Sequence, residues 1–186
     1  MKQEALRERL LLENDLLIVD AMAVVKDLAP AQLAWAPPSG GWSVAQVLEH
    51  LVTVADSYYG VLRSLVYQRS APLATLGRNK WDPTWMGSLL VSSLRSKRRT
   101  RAPRIWRVGT EARPDVLRAF LDRQQTLVQL MRASAALDWN RVRFGSPAGR
   151  LIRLNLGDGF TALVVHGQRH AQQMERLRQH AQFPAA

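Results

Sequence analysis

Three of the four histidines in this 186-residue chain are spaced so that they could gather around one metal ion. His166 and His170 are four residues apart, so on an α-helix both rings leave the same face. His50 lies far upstream, in another segment with helical hydrophobic spacing. A metal held by three neutral imidazoles keeps at least one open coordination position, as catalytic metals do. The pattern therefore predicts a metal site with chemistry at that open position.

The three imidazoles take the places of apolar residues on stripes that are predicted to face a core. His50 comes three residues after Val47 and four before Val54, and His170 comes four before Met174. A buried imidazole needs partners for both ring nitrogens, because an unsatisfied one costs about 1–3 kcal/mol. A bound metal ion would satisfy the rings, and so would a metal-free network of hydrogen bonds among them.

The residues beside the histidines narrow the chemistry. Glycine, glutamine and arginine stand between His166 and His170, where a zinc protease of the H-E-x-x-H type carries its glutamate base. Protease chemistry of that type is therefore not expected, and no other catalytic residue stands out. Gln173 follows His170 by three residues and either orients a ligand or lies on the surface. We interpret Arg169, and Glu49 beside the first histidine, as solvated side chains.

Four helices are predicted, over residues 4–28, 43–68 and 114–136 and from residue 158 onward. The second has the clearest start, because Ser43 with Gln46 three residues on forms a capping box. On the first helix, the apolar stripe that we expect to face the core consists of Leu12, Leu16, Val19 and Ala23.

About 45 residues separate the second and third predicted helices, too many for a simple turn. A short extra helix capped by Asp82 is predicted within them. Residues 141–153 alternate and turn, which indicates a locally extended stretch. The fold class expected is all-α: a four-helix bundle with a long irregular connection between helices two and three, in a single domain over residues 1–186.

Composition limits where such a protein works. The sequence has no cysteine, which excludes disulfides, thiolate metal ligands and a cysteine nucleophile. No stretch approaches the roughly 20 apolar residues that a membrane span requires, so no membrane association is expected. The N-terminus mixes both charges and lacks the apolar region of a secretory signal. We expect a cytoplasmic protein.

The chain is strongly basic, with 26 lysines and arginines against 15 acidic residues and a net charge of +11. The densest basic run falls in residues 95–107. Such a run could hold phosphates, but no nucleic-acid-binding motif accompanies it, so nucleic acid is not an expected partner. We interpret the run as a solvated loop. The alternative function is that of a non-catalytic or stress-related bundle that binds polyanions or a protein through these arginines.

Two segments resemble the signature motifs of the DinB-like (also called YfiT-like) metalloenzyme superfamily. Residues 40–51 read Gly-Gly-Trp-Ser-Val-Ala-Gln-Val-Leu-Glu-His-Leu, similar to that family's Gly-Trp-Ser … His-Leu signature. Residues 166–177 are similar to its terminal helix, in which two histidines precede a glutamine, here Gln173. Weaker landmarks at residues 104–106 and 144–147 follow in the same order, so the resemblance spans nearly the whole chain.

The resemblance implies a bundle of up-down-down-up topology that forms a homodimer. It implies a divalent metal, zinc or nickel, bound by the residues that match the family's ligands, His50, His166 and His170. The activities it implies are hydrolysis and thiol transfer on a small-molecule substrate, the latter with a low-molecular-weight thiol as cosubstrate.

Overall fold

The computed structural model describes residues 1–68, 80–96 and 102–185, and the described chain is mostly helical. Four long helices are α1 (Gln3–Val25), α3 (Val44–Val66), α5 (Val116–Ala133) and α6 (Leu156–Arg178). Shorter helical elements are α2 (Pro30–Ala34), α4 (Trp85–Arg95) and a 3₁₀ turn at Arg104–Trp106. Two strands, β1 (Arg143–Ser146) and β2 (Gly149–Asn155), complete the described elements. No helix within the described residues is long and apolar enough to cross a membrane.

The four long helices pack around two apolar clusters, one toward each end. Helices α1 and α3 each pack against both α5 and α6. One cluster combines the N-terminal halves of α1 and α6 with the C-terminal halves of α3 and α5, and the other combines the opposite halves. The segments that carry the histidines lie where these clusters meet, so apolar packing on both sides holds them in place.

The apolar stripe predicted for α1 was wrong. Leu12, Leu16 and Val19 are 60, 53 and 62% exposed, and Ala23 is exposed as well. Apolar residues occupy both sides of this helix, so their spacing alone does not distinguish the buried face. The apolar residues that α1 buries are Leu6, Leu10, Leu17, Ala21, Val24 and Val25.

The start of α3 follows the sequence prediction. The Ser43 hydroxyl accepts a hydrogen bond from the backbone N–H of Gln46 at 3.2 Å, and the Gln46 side chain accepts one from the Ser43 N–H at 2.9 Å. Before this cap, Gly40 and Gly41 have φ values of 87° and 133°. Residues with a Cβ rarely adopt these values, so the turn into α3 depends on glycine. The capping-box prediction is confirmed.

Helix α4 begins at a different cap from the one predicted. Thr84, not Asp82, is its N-cap, and the Thr84 hydroxyl accepts from the N–H of Gly87 at 2.9 Å. The same hydroxyl donates to the buried carboxylate of Asp158 at 2.7 Å. Asp158 in turn forms a capping box with Asn155 at the start of α6. A carboxylate of α6 therefore holds the N-cap residue of α4.

Strands β1 and β2 form an antiparallel hairpin in the region expected to be extended. The all-α prediction holds for the long elements and misses this hairpin. Phe144 of β1 is buried against α6, where a Cβ added to Gly159 would lie only 2.7 Å from its ring. The hairpin also reaches α3, because the hydroxyls of Tyr58 and Ser146 are 2.8 Å apart.

Candidate metal centre

The structure brings the three predicted histidines together between α3 and α6. The Nε2 atom of His166 lies 3.3 Å from that of His50 and 3.1 Å from that of His170. Two imidazoles bound to one tetrahedral zinc ion at about 2.0–2.1 Å have nitrogens about 3.3 Å apart. These two pairs therefore have the spacing of ligands on a shared ion, and the candidate ligand atoms of all three rings lie within 4.8 Å of one another.

Partners on the outer nitrogens set the tautomers of two rings. His50 Nδ1 lies 2.8 Å from the backbone oxygen of Trp106, and His170 Nδ1 lies 2.9 Å from the side-chain oxygen of Gln173. Oxygens of this kind only accept, so each Nδ1 carries the hydrogen. The Nε2 atoms of His50 and His170 consequently present lone pairs toward the centre of the cluster, as in metal sites with ordered outer partners.

The donor set fits a divalent cation better than a metal-free network. His166 Nε2 faces the lone pairs of both other rings, but a neutral imidazole has only one hydrogen to donate there. Without a cation, the Nε2 lone pair of His50 or of His170 is therefore left without a hydrogen to accept. A cation would accept all three lone pairs at once, so the residues present fit the metal that the sequence predicts.

Burial keeps the three rings neutral. Loss of solvation lowers the pKa of His50, partly offset by its bond to Trp106. Burial also lowers the pKa of His166 well below the usual value, with smaller contributions from the other two histidines and Arg169. The pKa of His170 is lowered to about 3, again mainly by burial. Neutral imidazoles are the form that binds metal, so the rings need no deprotonation at neutral pH.

Close packing around the cluster holds the rings in position. A Cβ on Gly167, between the two histidines of α6, would collide with the side chain of Leu17 on α1. Trp42, just before α3, lies over the rings, with centroids 4.7 Å from His50 and 6.2 Å from His170. The glycine therefore allows the close approach of α1, and the tryptophan covers one side of the site.

Sequence reasoning missed the role of Trp106. Its carbonyl orients His50 from a position 56 residues away, and its indole N–H donates to the Ser57 hydroxyl at 2.9 Å. Backbone carbonyls are present at every position, so composition and spacing give no signal for this contact. The weak motif at residues 104–106 marks this turn in the sequence but does not predict its contact with His50.

The predictions for Glu49 and Arg169 were wrong. Glu49 is mostly buried and accepts two hydrogen bonds from the Arg113 guanidinium, at 2.8 and 2.9 Å. This contact lowers the pKa of the Glu49 carboxyl. Arg169 is half-buried and donates to the backbone oxygens of Leu94, at 3.0 Å, and Ser96. Both side chains hold the connection between α3 and α5 against the bundle.

A cavity of about 260 Å³, which we call the metal pocket, opens directly onto the histidines. Its walls are mainly apolar and aromatic, and α4 contributes Leu90 and Leu94. Tyr58 also lines the cavity; burial raises the pKa of its hydroxyl, partly offset by the bond to Ser146. Besides the three histidines, the main lining residues are Trp42, Val54, Tyr58, Leu90, Leu94, Trp106, Leu163 and Arg169.

A mostly helical chain whose long helices bring three histidines to one point belongs to the class of helical bundles with a candidate metal centre. The profile of the DinB superfamily matches residues 17–174. The chain therefore belongs to the DinB superfamily, and the resemblance found in its motifs is confirmed.

One solved structure with a similar fold is YfiT from Bacillus subtilis, described as a probable metal-dependent hydrolase with an unusual four-helix bundle topology. The superposition has a TM-score of 0.59 and covers 93% of this chain and 86% of YfiT. Sequence identity is 15%, so the match shows the fold alone. Comparison with curated proteins gives no match.

Proposed function

We propose that this protein is a metal-dependent enzyme in which His50, His166 and His170 hold one divalent ion. The observation that carries the proposal is the convergence of three Nε2 atoms with the outer nitrogens of two rings already paired. Imidazole ligands suit zinc and nickel. When bound, such an ion acts as a Lewis acid and lowers the pKa of a coordinated water.

The protein's own side chains have separate roles in this proposal. Gln173 and the Trp106 carbonyl orient the ligand rings, and Trp42 keeps bulk water from one side of them. The apolar walls of the metal pocket favour a small organic substrate. The reaction is hydrolysis or thiol transfer. Because the chain has no cysteine, a low-molecular-weight thiol would have to supply the sulfur for transfer.

Elemental analysis of the purified protein tests this proposal. We expect about one equivalent of zinc or nickel in the wild type and its loss in His50→Ala, His166→Ala and His170→Ala. His180→Ala is the matched control, because His180 packs beside Trp35 outside the cluster. No metal after incubation with either ion would reject the site. Turnover of ester, amide and electrophilic substrates, with and without added thiol, then separates hydrolysis from transfer.

The non-catalytic alternative makes the opposite prediction. Part of its basic run, residues 97–101, lies outside the described residues, while Arg104 and Arg107 are exposed. Binding of a polyanion such as heparin would then persist in the histidine variants and weaken with salt. The affinity for the polyanion would decrease when neutral residues replace Lys97, Arg98, Arg99 and Arg101.

The same proposal includes a single domain over residues 1–186 with up-down-down-up topology. Its support is the composition of the two apolar clusters. The start of α1 shares a cluster with the start of α6 and with the ends of α3 and α5. That sharing is expected if α1 and α6 run one way and α3 and α5 the other. A cytoplasmic location stays a prediction from the cysteine-free sequence.

We also propose that the protein forms a homodimer through the exposed face of α1. Leu12, Leu16 and Val19 are each more than half exposed and lie on one side of this helix. Exposed apolar patches of this kind mark interaction sites. Light scattering is expected to give twice the mass of one chain, and Leu16→Glu is expected to give the single-chain mass. Gln125→Glu, at an exposed position of α5, adds the same charge away from the stripe and serves as the control.

A further inference from the structure

A second cavity opens beside the metal pocket, and cationic side chains line it. It measures about 540 Å³ and lies between the end of α4 and α6. We call it the arginine groove. Its lining residues are Leu94, Arg95, Ser96, Val165, Gln168, Arg169, Gln172 and Arg176.

The charge of the groove is not balanced within its described lining, which contains no aspartate or glutamate. Among the described residues, no ion pair involves Arg95 or Arg176. Elsewhere the fold does pair its arginines, as Arg113 with Glu49 shows. A concave surface rich in guanidinium donors and poor in carboxylates suits an anion, because the planar guanidinium bonds carboxylate or phosphate oxygens in pairs.

The groove and the metal pocket adjoin each other. Leu94 and Arg169 line both cavities. The bonds from Arg169 to the backbone of Leu94 and Ser96 hold its side chain at this boundary. Arg176 follows Arg169 by seven residues, two helical turns along the same side of α6. One molecule could therefore contact the groove and the metal pocket together.

We propose that the arginine groove binds the carboxylate or phosphate group of a small molecule whose apolar part occupies the metal pocket. This inference rests on the proposed function of that pocket. It narrows the substrate to an organic anion with an apolar body of about ten non-hydrogen atoms, since a cavity of roughly 150 Å³ holds benzene. The groove supplies charge recognition, and the metal pocket supplies the reacting position.

Calorimetric titration of the full-length protein tests the inference with four probes: phenyl phosphate, benzoate, benzyl alcohol and inorganic phosphate. Metal-free protein is titrated first, because a bound metal would itself attract the anions. Phenyl phosphate or benzoate is expected to bind at least about tenfold more tightly than neutral benzyl alcohol. The stronger of the two identifies the preferred anion. Phenyl phosphate should also exceed inorganic phosphate about tenfold, because the ring buries apolar surface.

Variants assign the binding to the groove. Arg95→Gln and Arg176→Gln are each expected to weaken anion binding about tenfold, whereas Arg132→Gln, an exposed arginine on α5, leaves it unchanged. Equal affinity for the anions and benzyl alcohol overturns the inference. Equal loss in the Arg132 variant, or equal affinity for phenyl phosphate and inorganic phosphate, overturns it as well.

The metal content of the same samples separates this inference from the proposed function. Arginine-dependent anion binding in a protein that takes up no zinc or nickel would support the groove and reject the metal-dependent enzyme. A full equivalent of metal with no arginine-dependent binding would reject the groove and leave the metal site standing.

Discussion

The metal pocket has two walls, and they contribute unequally to the apolar clusters. Helices α3 and α6 form the first wall, which carries the histidines and is fixed by apolar clusters above and below. Helix α4 and the 3₁₀ turn form the second wall. Leu90 and Trp106 attach it to one apolar cluster. Polar contacts attach it further, from Thr84 to Asp158, from Trp106 to Ser57 and from Arg169 to the end of α4.

Because of this difference, we expect changes in the two walls to affect different properties of the site. A rearranged first wall would separate the ligands, because the Nε2 spacing depends on how closely α3 and α6 pack. A change in α4 would alter the shape of the pocket without moving a histidine. We therefore expect metal binding to follow the first wall and substrate choice to follow the second. The Trp106 carbonyl on His50 is a contact between the second wall and a candidate metal ligand.

The largest effect is expected from metal binding to the first wall. Zinc at about 1,000 times its dissociation constant should raise the free energy of unfolding by about 4 kcal/mol. His50→Ala should remove this increment, whereas Leu90→Ala in the second wall should keep it. Chemical denaturation with and without zinc measures the difference. An increment of equal size in His50→Ala would show that zinc binds elsewhere.

Acid should destabilise the first wall of the metal-free protein. The unfolded chain protonates His170 near its ordinary pKa of 6.5, whereas the folded protein does so only near about 3. Between these two pH values the unfolded state binds more protons than the folded state. The free energy of unfolding is therefore highest above pH 6.5 and decreases as the pH falls toward 3. We expect His170→Asn to reduce this slope by on the order of 1 kcal/mol per pH unit. Denaturation midpoints of the wild type and of His170→Asn from pH 7 to 4 measure the difference in slope. Parallel curves for the two proteins would contradict the prediction.

Overfilling the contact between α1 and α6 should strain the first wall. Gly167→Val is expected to cost about 2 kcal/mol of stability and to weaken zinc binding, because the new side chain collides with Leu17. Adding Leu17→Ala to this variant should restore part of the lost stability and part of the lost zinc affinity. Gly60→Val is the control, since nothing lies within 4 Å of a Cβ there. Equal losses at the two glycines would mean that the collision with Leu17 is not responsible, since valine has a higher helix propensity than glycine.

The smallest of these effects is expected from detaching the second wall. Thr84→Val removes the hydroxyl that caps α4 and donates to Asp158, and it should cost about 1 kcal/mol. Hydrogen exchange in α4 should accelerate while the zinc content stays at one equivalent. Asp122→Ala, exposed on α5, should change neither. Loss of zinc from Thr84→Val would show that the two walls are not independent.

Local patterns predicted much of the bundle and part of the site. The capping box joins Ser43 and Gln46, which are three residues apart. The pair formed by His166 and His170 joins residues that are four apart. Helix geometry alone decides such contacts. The predicted ends of the long helices differ from the observed ones by a few residues. At the start of α6 the local signal is the capping box of Asn155 with Asp158, which the prediction missed.

The buried face of α1 shows where local patterns fail. Its leucines occur on both sides, so the sequence offers two possible apolar faces. The structure buries the side that includes Leu10 and Leu17 and exposes the side that includes Leu16. Packing against α5 and α6 makes this choice, and periodicity within one helix contains no information about it.

The sequence by itself determined the helices, the identity of three candidate metal ligands and the excess of basic charge. Only the tertiary structure decided that His50 meets the other two rings, that a carbonyl of Trp106 orients it, and that Arg169 lies between the two cavities. The physical reason is the separation along the sequence between the residues that come into contact. Spacing along one helix fixes which side chains share a face, whereas contacts between distant segments depend on how whole elements pack.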